Sequence, residues 1–123
     1  MNDTQYLPLL KTMPTSFALH EIICDEMGTP YDFKYLEISK AFEETFDIKA
    51  KNFVGKTAKE VIPSIESNWI KAFGKVALEG NPIEFESYTE AFNKFLSVTA
   101  YCPKKGQFVA IYRDITERKK NEE

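Results

Sequence analysis

The sequence predicts an α+β domain: a five-stranded antiparallel sheet whose helices are segregated to one face. Three observations carry this. After residue 82 the apolar pattern switches to a period of two and holds it through three consecutive segments. Near the start, two strand-like runs, Phe17–Cys24 and Asp32–Ile38, flank the turn residues Gly28-Thr-Pro30. Between these β regions lies a stretch with helical spacing and helix punctuation.

The elements follow in order. Residues 3–12 read as a short helix capped by Asp3 or Thr4, apolar along Tyr6, Leu7, Leu9 and Leu10, with Pro8 in its first turns. So short a helix needs something to dock on. After the hairpin, Ser39 caps a helix with Ala41, Phe42 and Phe46 as its apolar positions, and Phe53-Val-Gly55 breaks it. Thr57-Ala-Lys-Glu60 has the spacing of a capping box and opens another short helix, stopped by Pro63. Ser64 is the expected cap of the longest helix, which runs to about Glu79. Ile65, Trp69, Phe73, Val76 and Ala77 share its apolar face, with Glu66, Lys71, Lys75 and Glu79 towards water. Gly80-Asn-Pro82 ends it. The three last strands pair Ile83, Phe85, Ser87 and Thr89 against Glu84, Glu86, Tyr88 and Glu90. Leu96, Val98 and Ala100 then alternate with Phe95, Ser97 and Thr99, and Phe108, Ala110 and Tyr112 with Val109 and Ile111. Pro103-Lys-Lys-Gly106 is their second turn, and Glu117–Glu123 is polar and helix-prone.

Composition excludes several classes. The chain has 123 residues, one ordinary domain, and a formal net charge of −3 gives no global pull towards nucleic acid or anionic lipid. The longest unbroken apolar run, Phe108–Tyr112, falls far short of the roughly 20 residues of a membrane span. The N-terminus lacks the basic and apolar regions of a signal peptide. Two cysteines, Cys24 and Cys102, form no CxxC pair, and reduced thiols in a cytoplasmic setting are the simpler reading.

The element order, with the residues at its joints, resembles the PAS domain, a sensory module of signalling proteins. The resemblance runs from about Phe17 to Thr116. It rests most on Asp114-Ile115-Thr116 followed by Glu-Arg-Lys-Lys120, since PAS domains commonly end their last strand with Asp-Ile-Thr and enter a signalling helix. Val54-Gly55-Lys56 with Glu60 and Pro63, and Asp32–Glu44 with its Leu-Glu-Ile and Ala-Phe-Glu, are similar to family segments. Ser39 departs from the Asn often found there, but both cap helices. The resemblance implies residues 1–16 as an N-terminal capping helix and linker, 17–116 as the PAS domain, and 117–123 as the start of a linker helix to an effector domain of the same polypeptide. It also implies a cavity between sheet and helices. Phe42, Phe46, Phe53, Trp69, Phe73 and Phe85 are the candidate lining, although rings at helical spacing serve first as core.

No catalytic set emerges. The five glycines form no phosphate-cradling loop, and the single histidine, His20, has no nucleophile or acid partner legible in sequence. Haem-binding relatives supply a His from the long helix, and none stands there. Covalent flavin chemistry needs a Cys that residues 40–63 lack. His20 and Cys24 share a strand face and Cys102 could approach, but a zinc site needs a fourth ligand, and a lone strand histidine reads as satisfied or solvent-facing. The row Glu84, Glu86 and Glu90 reads as a solvated face open to a basic partner. Lys49, Lys51, Lys56 and Lys59 interleave with Glu43, Glu44 and Asp47 and form no nucleic-acid surface.

The expectation is therefore a sensory module of a protein such as a sensor histidine kinase or diguanylate cyclase, itself without catalysis. It would sense a small apolar ligand or relay a signal through Asp114, Ile115 and Thr116, with the N-terminal helix as a homodimer contact. A ligand-free domain used for dimerisation and protein contacts is the alternative, and a small cone-shaped α+β enzyme ranks last, for want of a buried acid in the pocket.

Overall fold

The computed structural model describes residues 15–122; the expected N-terminal helix, residues 3–12, lies outside them. Five strands form one antiparallel sheet: β1 (Phe17–Cys24), β2 (Pro30–Ile38), β3 (Ile83–Thr89), β4 (Lys94–Tyr101) and β5 (Gln107–Asp114). Their spatial order is β2-β1-β5-β4-β3. The N-terminal hairpin and the C-terminal meander are thus welded by the β1–β5 pairing, from Phe17 opposite Ile111 to Glu21 opposite Gln107. Residues 39–82 must carry the chain from one sheet edge to the other, about 19 Å at ordinary strand spacing. They do so as α1 (Lys40–Phe46), a 3₁₀ turn (Ala50–Asn52), α2 (Ala58–Val61) and α3 (Ser67–Glu79). At 1.5 Å per residue, α3 is about 20 Å long, enough to cross the sheet. A final helix, α4 (Thr116–Glu122), follows β5.

Side-chain hydrogen bonds fix these joints. Ser39 Oγ accepts from the Phe42 amide at 3.2 Å and the Phe17 amide at 3.0 Å, and donates to the Thr15 carbonyl at 2.8 Å. One hydroxyl therefore caps α1 and holds it at the start of β1. The Thr57–Glu60 capping box is complete, and buried Asp32 accepts from the Phe33 and Lys59 amides at 2.8 and 3.2 Å, tying β2 to α2. The outer edge of β2 is covered by residues 55–57, through hydrogen bonds at Tyr35 and a bridge between Lys34 and Thr57.

Three boundaries differ from the sequence reading. β2 begins at Pro30. α1 stops at Asp47, which takes a left-handed conformation (φ 54°), rather than at Phe53. The long helix begins at Ser67, not at Ser64, which is exposed and caps nothing; Ile65 and Glu66 precede the helix. A Ser after Pro63 satisfies the local rule for a cap, but the Ile65 amide bonds back to the Ile62 carbonyl and holds the segment in a turn. Gly80 closes α3 in the left-handed region as expected (φ 83°). Within α3, Gly74 permits close packing on the hairpin: a Cβ there would lie 2.5 Å from Pro30 Cγ.

The core is built of rings. Phe73 of α3, Phe108 of β5 and His20 of β1 lie within 18° of parallel, with Phe108 4.6 Å from Phe73 and 4.3 Å from His20. Phe33 of β2 meets all three edge-on at 4.9–5.6 Å. His20 is thus neither solvent-facing nor satisfied. It is fully buried, its Nδ1 lies 3.4 Å from the Phe108 carbonyl oxygen, and its Nε2 has no hydrogen-bond partner among the described residues. The opposite sheet face carries a second apolar cluster around Phe17, Leu19 and Val109.

Burial lowers the His20 pKa from 6.5 to about 3, only partly countered by the bond to Phe108. Between these values the unfolded chain binds a proton that the folded chain refuses. Stability from this group is therefore complete above pH 6.5 and falls as the pH drops. The expected loss at pH 5 is about 2 kcal/mol. Urea unfolding at pH 7.5 and pH 5 checks it: His20→Leu should remove that part of the pH dependence, and an unchanged difference would contradict the assignment.

Candidate functional site

Two places in this fold offer chemistry beyond packing. The first is a cavity between α1, α3 and the sheet. Phe42 and Phe46 line it from α1, Trp69 and Phe73 from α3, and Tyr35 and Tyr112 from β2 and β5. Phe53 and Phe85 stand behind this lining, Phe53 with its ring 5.2 Å from Tyr35 and Phe85 5.4 Å from Trp69. The volume open to the centre of a water molecule is about 40 Å³, far below the roughly 300–1,000 Å³ of ligand pockets for drug-sized molecules. As folded, the domain fills its cavity with its own rings.

The lining is not wholly apolar. Burial pushes the phenols of Tyr35 and Tyr112 up, the first further raised by Asp32 and the second by Tyr35, so both stay protonated. Glu66, expected to face water, instead reaches the wall with its Oε1 buried. Tyr35, Tyr112, Glu66 and Thr89 are the polar lining residues, and none of them is among the lining candidates read from the sequence. Tyr35 and Tyr112 stand in the inward phase of their strands, where a polar-tipped ring is the available signal. Glu66 gave none, because its outward assignment assumed a helix that had not yet begun.

The second place is the junction of β5 and α4. Asp114 Oδ1 accepts from the Thr116 amide at 2.9 Å and the Thr116 hydroxyl at 2.6 Å. Thr116 Oγ1 in turn accepts from the Phe95 amide of β4 at 3.1 Å. Lys94 Nζ lies 3.0 Å from Asp114 Oδ2, and the amide of buried Ile115 donates to the Phe95 carbonyl at 2.8 Å. Burial pushes the Asp114 carboxyl up, but the bonds from Thr116 and Lys94 outweigh it and hold it below the usual range. The departure of α4 is thereby fixed to the neighbouring strand by side chain and backbone together.

The acidic row supplies a further hold. Glu86 of β3 receives the Arg118 guanidinium, and Lys119 Nζ at 3.0 Å. Those hydrogen bonds, Arg118 first, draw its carboxyl below the usual range, so the clamp persists to lower pH than a free glutamate would allow. The pair is exposed, hence salt-screened and weak. Of the acidic row, Glu86 thus finds its basic partners on α4.

Metal and thiol chemistry find no comparable assembly. Among the described residues no three His, Cys, Asp or Glu side chains come together to hold a metal ion. Burial pushes the Cys102 thiol up, partly countered by its bond to the Lys104 carbonyl, which makes it a poor nucleophile. No helix among the described residues is long and apolar enough to cross a membrane.

No protein-family model and no curated protein matches the chain. Solved structures do. A domain of a sensory box sensor histidine kinase/response regulator from Geobacter sulfurreducens superposes with a TM-score of 0.63 at 16% identity, covering 90% of this chain and 92% of that one. A domain of an HTR-like protein from Haloarcula marismortui gives 0.60 at 17%, covering 85% and 100%. The PAS domain of a protein from Colwellia psychrerythraea gives 0.59 at 13%, covering 94% and 98%. The chain has the PAS fold. Its aromatic cavity and its β5–α4 junction are thus features of a PAS sheet, joined through β5, which supplies Tyr112 to one and Asp114 to the other.

The Thr116 hydroxyl occupies the centre of this junction. Thr116→Val should lower stability by about 1 kcal/mol, the net worth of one such hydrogen bond, and raise the exchange rate of the Phe95 amide. Thr116→Ser should preserve both. Urea unfolding and amide hydrogen exchange measure the two effects; equal behaviour of Val and Ser would show that the hydroxyl does not hold the helix.

Proposed function

We propose that this chain is a sensory or relay module of a signal-transduction protein, with its output leaving through α4. The observation that carries the reading is the Asp114–Thr116–Phe95 lock. It fixes the angle at which α4 leaves the sheet, two residues after the strand position, Tyr112, that lines the cavity. A population shift in how Tyr112 and the rings around it pack would alter the end of β5 and so the departure of the helix. The same fold in a domain of a sensor histidine kinase/response regulator supports this use.

The partner in this reading is an effector domain of the same polypeptide, a histidine kinase or a diguanylate cyclase, working in the cytoplasm as a homodimer. The module itself relays conformation and does not catalyse. A cone-shaped enzyme is the weaker account: Glu66 does bring a carboxylate oxygen to the cavity, but strand order and solved relatives agree on the PAS fold. The small cavity favours relay through a self-filled core over a large bound cofactor.

The test is a fusion of the chain, through α4, to a histidine kinase catalytic region stripped of its own sensory domain. Asp114→Ala and Thr116→Val should change autophosphorylation severalfold while the domain remains folded. Kinase activity indifferent to both substitutions would refute the relay.

A further inference from the structure

Two residues that line the cavity each bury a polar atom with no hydrogen-bond partner among the described residues: Trp69 Nε1, a donor, and Glu66 Oε1, an acceptor. Trp69 is only 5% exposed. An orphaned buried donor or acceptor costs about 1–3 kcal/mol, more when charged. Two of them on one small cavity are therefore a feature to be explained. Glu66 stands at the N-cap position of α3, yet its side chain makes no capping bond, so the helix does not use its carboxylate. The two residues are tied across the first turn, where the Trp69 amide donates to the Glu66 carbonyl at 3.1 Å.

The chemistry of the pair is restrictive. An indole N–H presents a positive edge, which accepts a lone pair and repels a cation. A carboxylate oxygen accepts only from a donor. A hydroxyl serves both, and the rest of the wall is mostly rings, with Ile62, Ile65, Leu96 and Thr89 between them. We propose that this cavity binds a small phenol or ring alcohol, its hydroxyl donating to Glu66 and accepting from Trp69 while its ring lies against Phe42, Phe46 and Phe73. This deepens the sensory reading and rests on it only for the consequence of binding. The present free volume of about 40 Å³ is below the roughly 150 Å³ of a cavity that takes benzene, so the wall must yield. Residues 62–66, which border the cavity through Ile62, Ile65 and Glu66, are the part that the proposal requires to move. They contain neither helix nor strand, Pro63 and Ser64 are exposed, and the Ile65 amide bonds back to Ile62 at 2.9 Å. A water molecule is the competing occupant, because it too both donates and accepts.

Trp69 is the sole tryptophan, so its indole N–H gives a single resonance that reports on the cavity directly. The experiment titrates ¹⁵N-labelled protein with p-cresol and with toluene, which differ only in the hydroxyl. p-Cresol should shift the Trp69 indole resonance saturably, and bind at least tenfold more tightly than toluene. Glu66→Leu should reduce p-cresol affinity about tenfold, and Glu66→Gln, which keeps an acceptor and the shape, should reduce it less. No saturable shift with p-cresol, or toluene binding as tightly as p-cresol in the wild-type protein, would overturn the proposal and leave water as the occupant. The kinase fusion reads α4 and this titration reads Trp69. A silent fusion with a saturable cresol shift would remove only the relay, and a responsive fusion without a shift would remove only the ligand.

Discussion

The structure depends on four rings meeting at one point. Phe33, His20, Phe108 and Phe73 come from β2, β1, β5 and α3, and each touches the others as a stack or an edge. The strand order makes this meeting possible, because β1 sits between β2 and β5 and the long helix must cross all of them. Apolar burial of rings this size supplies the largest favourable contribution in the domain, and edge and stack geometry adds specificity. The price is a histidine with an unpaired nitrogen in the densest part of the core.

From that centre the arrangement runs in one direction towards the C-terminus. Phe42 and Phe46 of α1 pack on Tyr112, 5.5 and 5.6 Å away, in the inward row of β5 that also holds Phe108. Two residues later Asp114 leaves the core and engages Thr116, Lys94 and, through Thr116, the backbone of Phe95. The same strand therefore carries a packed ring at Tyr112 and ends in a hydrogen-bonded junction at Asp114. The exposed clamp between Glu86 and Arg118 with Lys119 adds orientation at little energy.

Much of this was legible in the sequence, and what was not has physical causes. Local chemistry was readable where it is local: the Ser39 cap, the Thr57–Glu60 box, left-handed Gly80 and the alternation of β3 to β5 all depend on residues a few positions apart. The start of α3 was misplaced because Ser64 obeys a local capping rule that the turn after Pro63 overrides. The buried state of His20 could not be read, since β1 is apolar on both faces and nothing local says that rings from β2, β5 and α3 converge on it. Phe42, Phe46, Trp69 and Phe73 were candidates because large rings at helical spacing point inward. Tyr35 and Tyr112 reach the cavity from strands that meet only through the non-local β1–β5 pairing. The partners of Glu86, 32 and 33 positions downstream, are likewise invisible to any rule based on neighbouring residues.

The central claim is that the cavity and the output helix form one coupled unit through β5. A double-mutant cycle measures this directly, with Phe46→Leu altering the packing on Tyr112 and Thr116→Val opening the junction, each variant and the pair unfolded in urea. Independent distant sites add to within about 0.3–0.5 kcal/mol. The account predicts an interaction energy above that range, about 0.5–2 kcal/mol. Strict additivity would contradict it, and would make the ring core and the departing helix separate structures that share a strand.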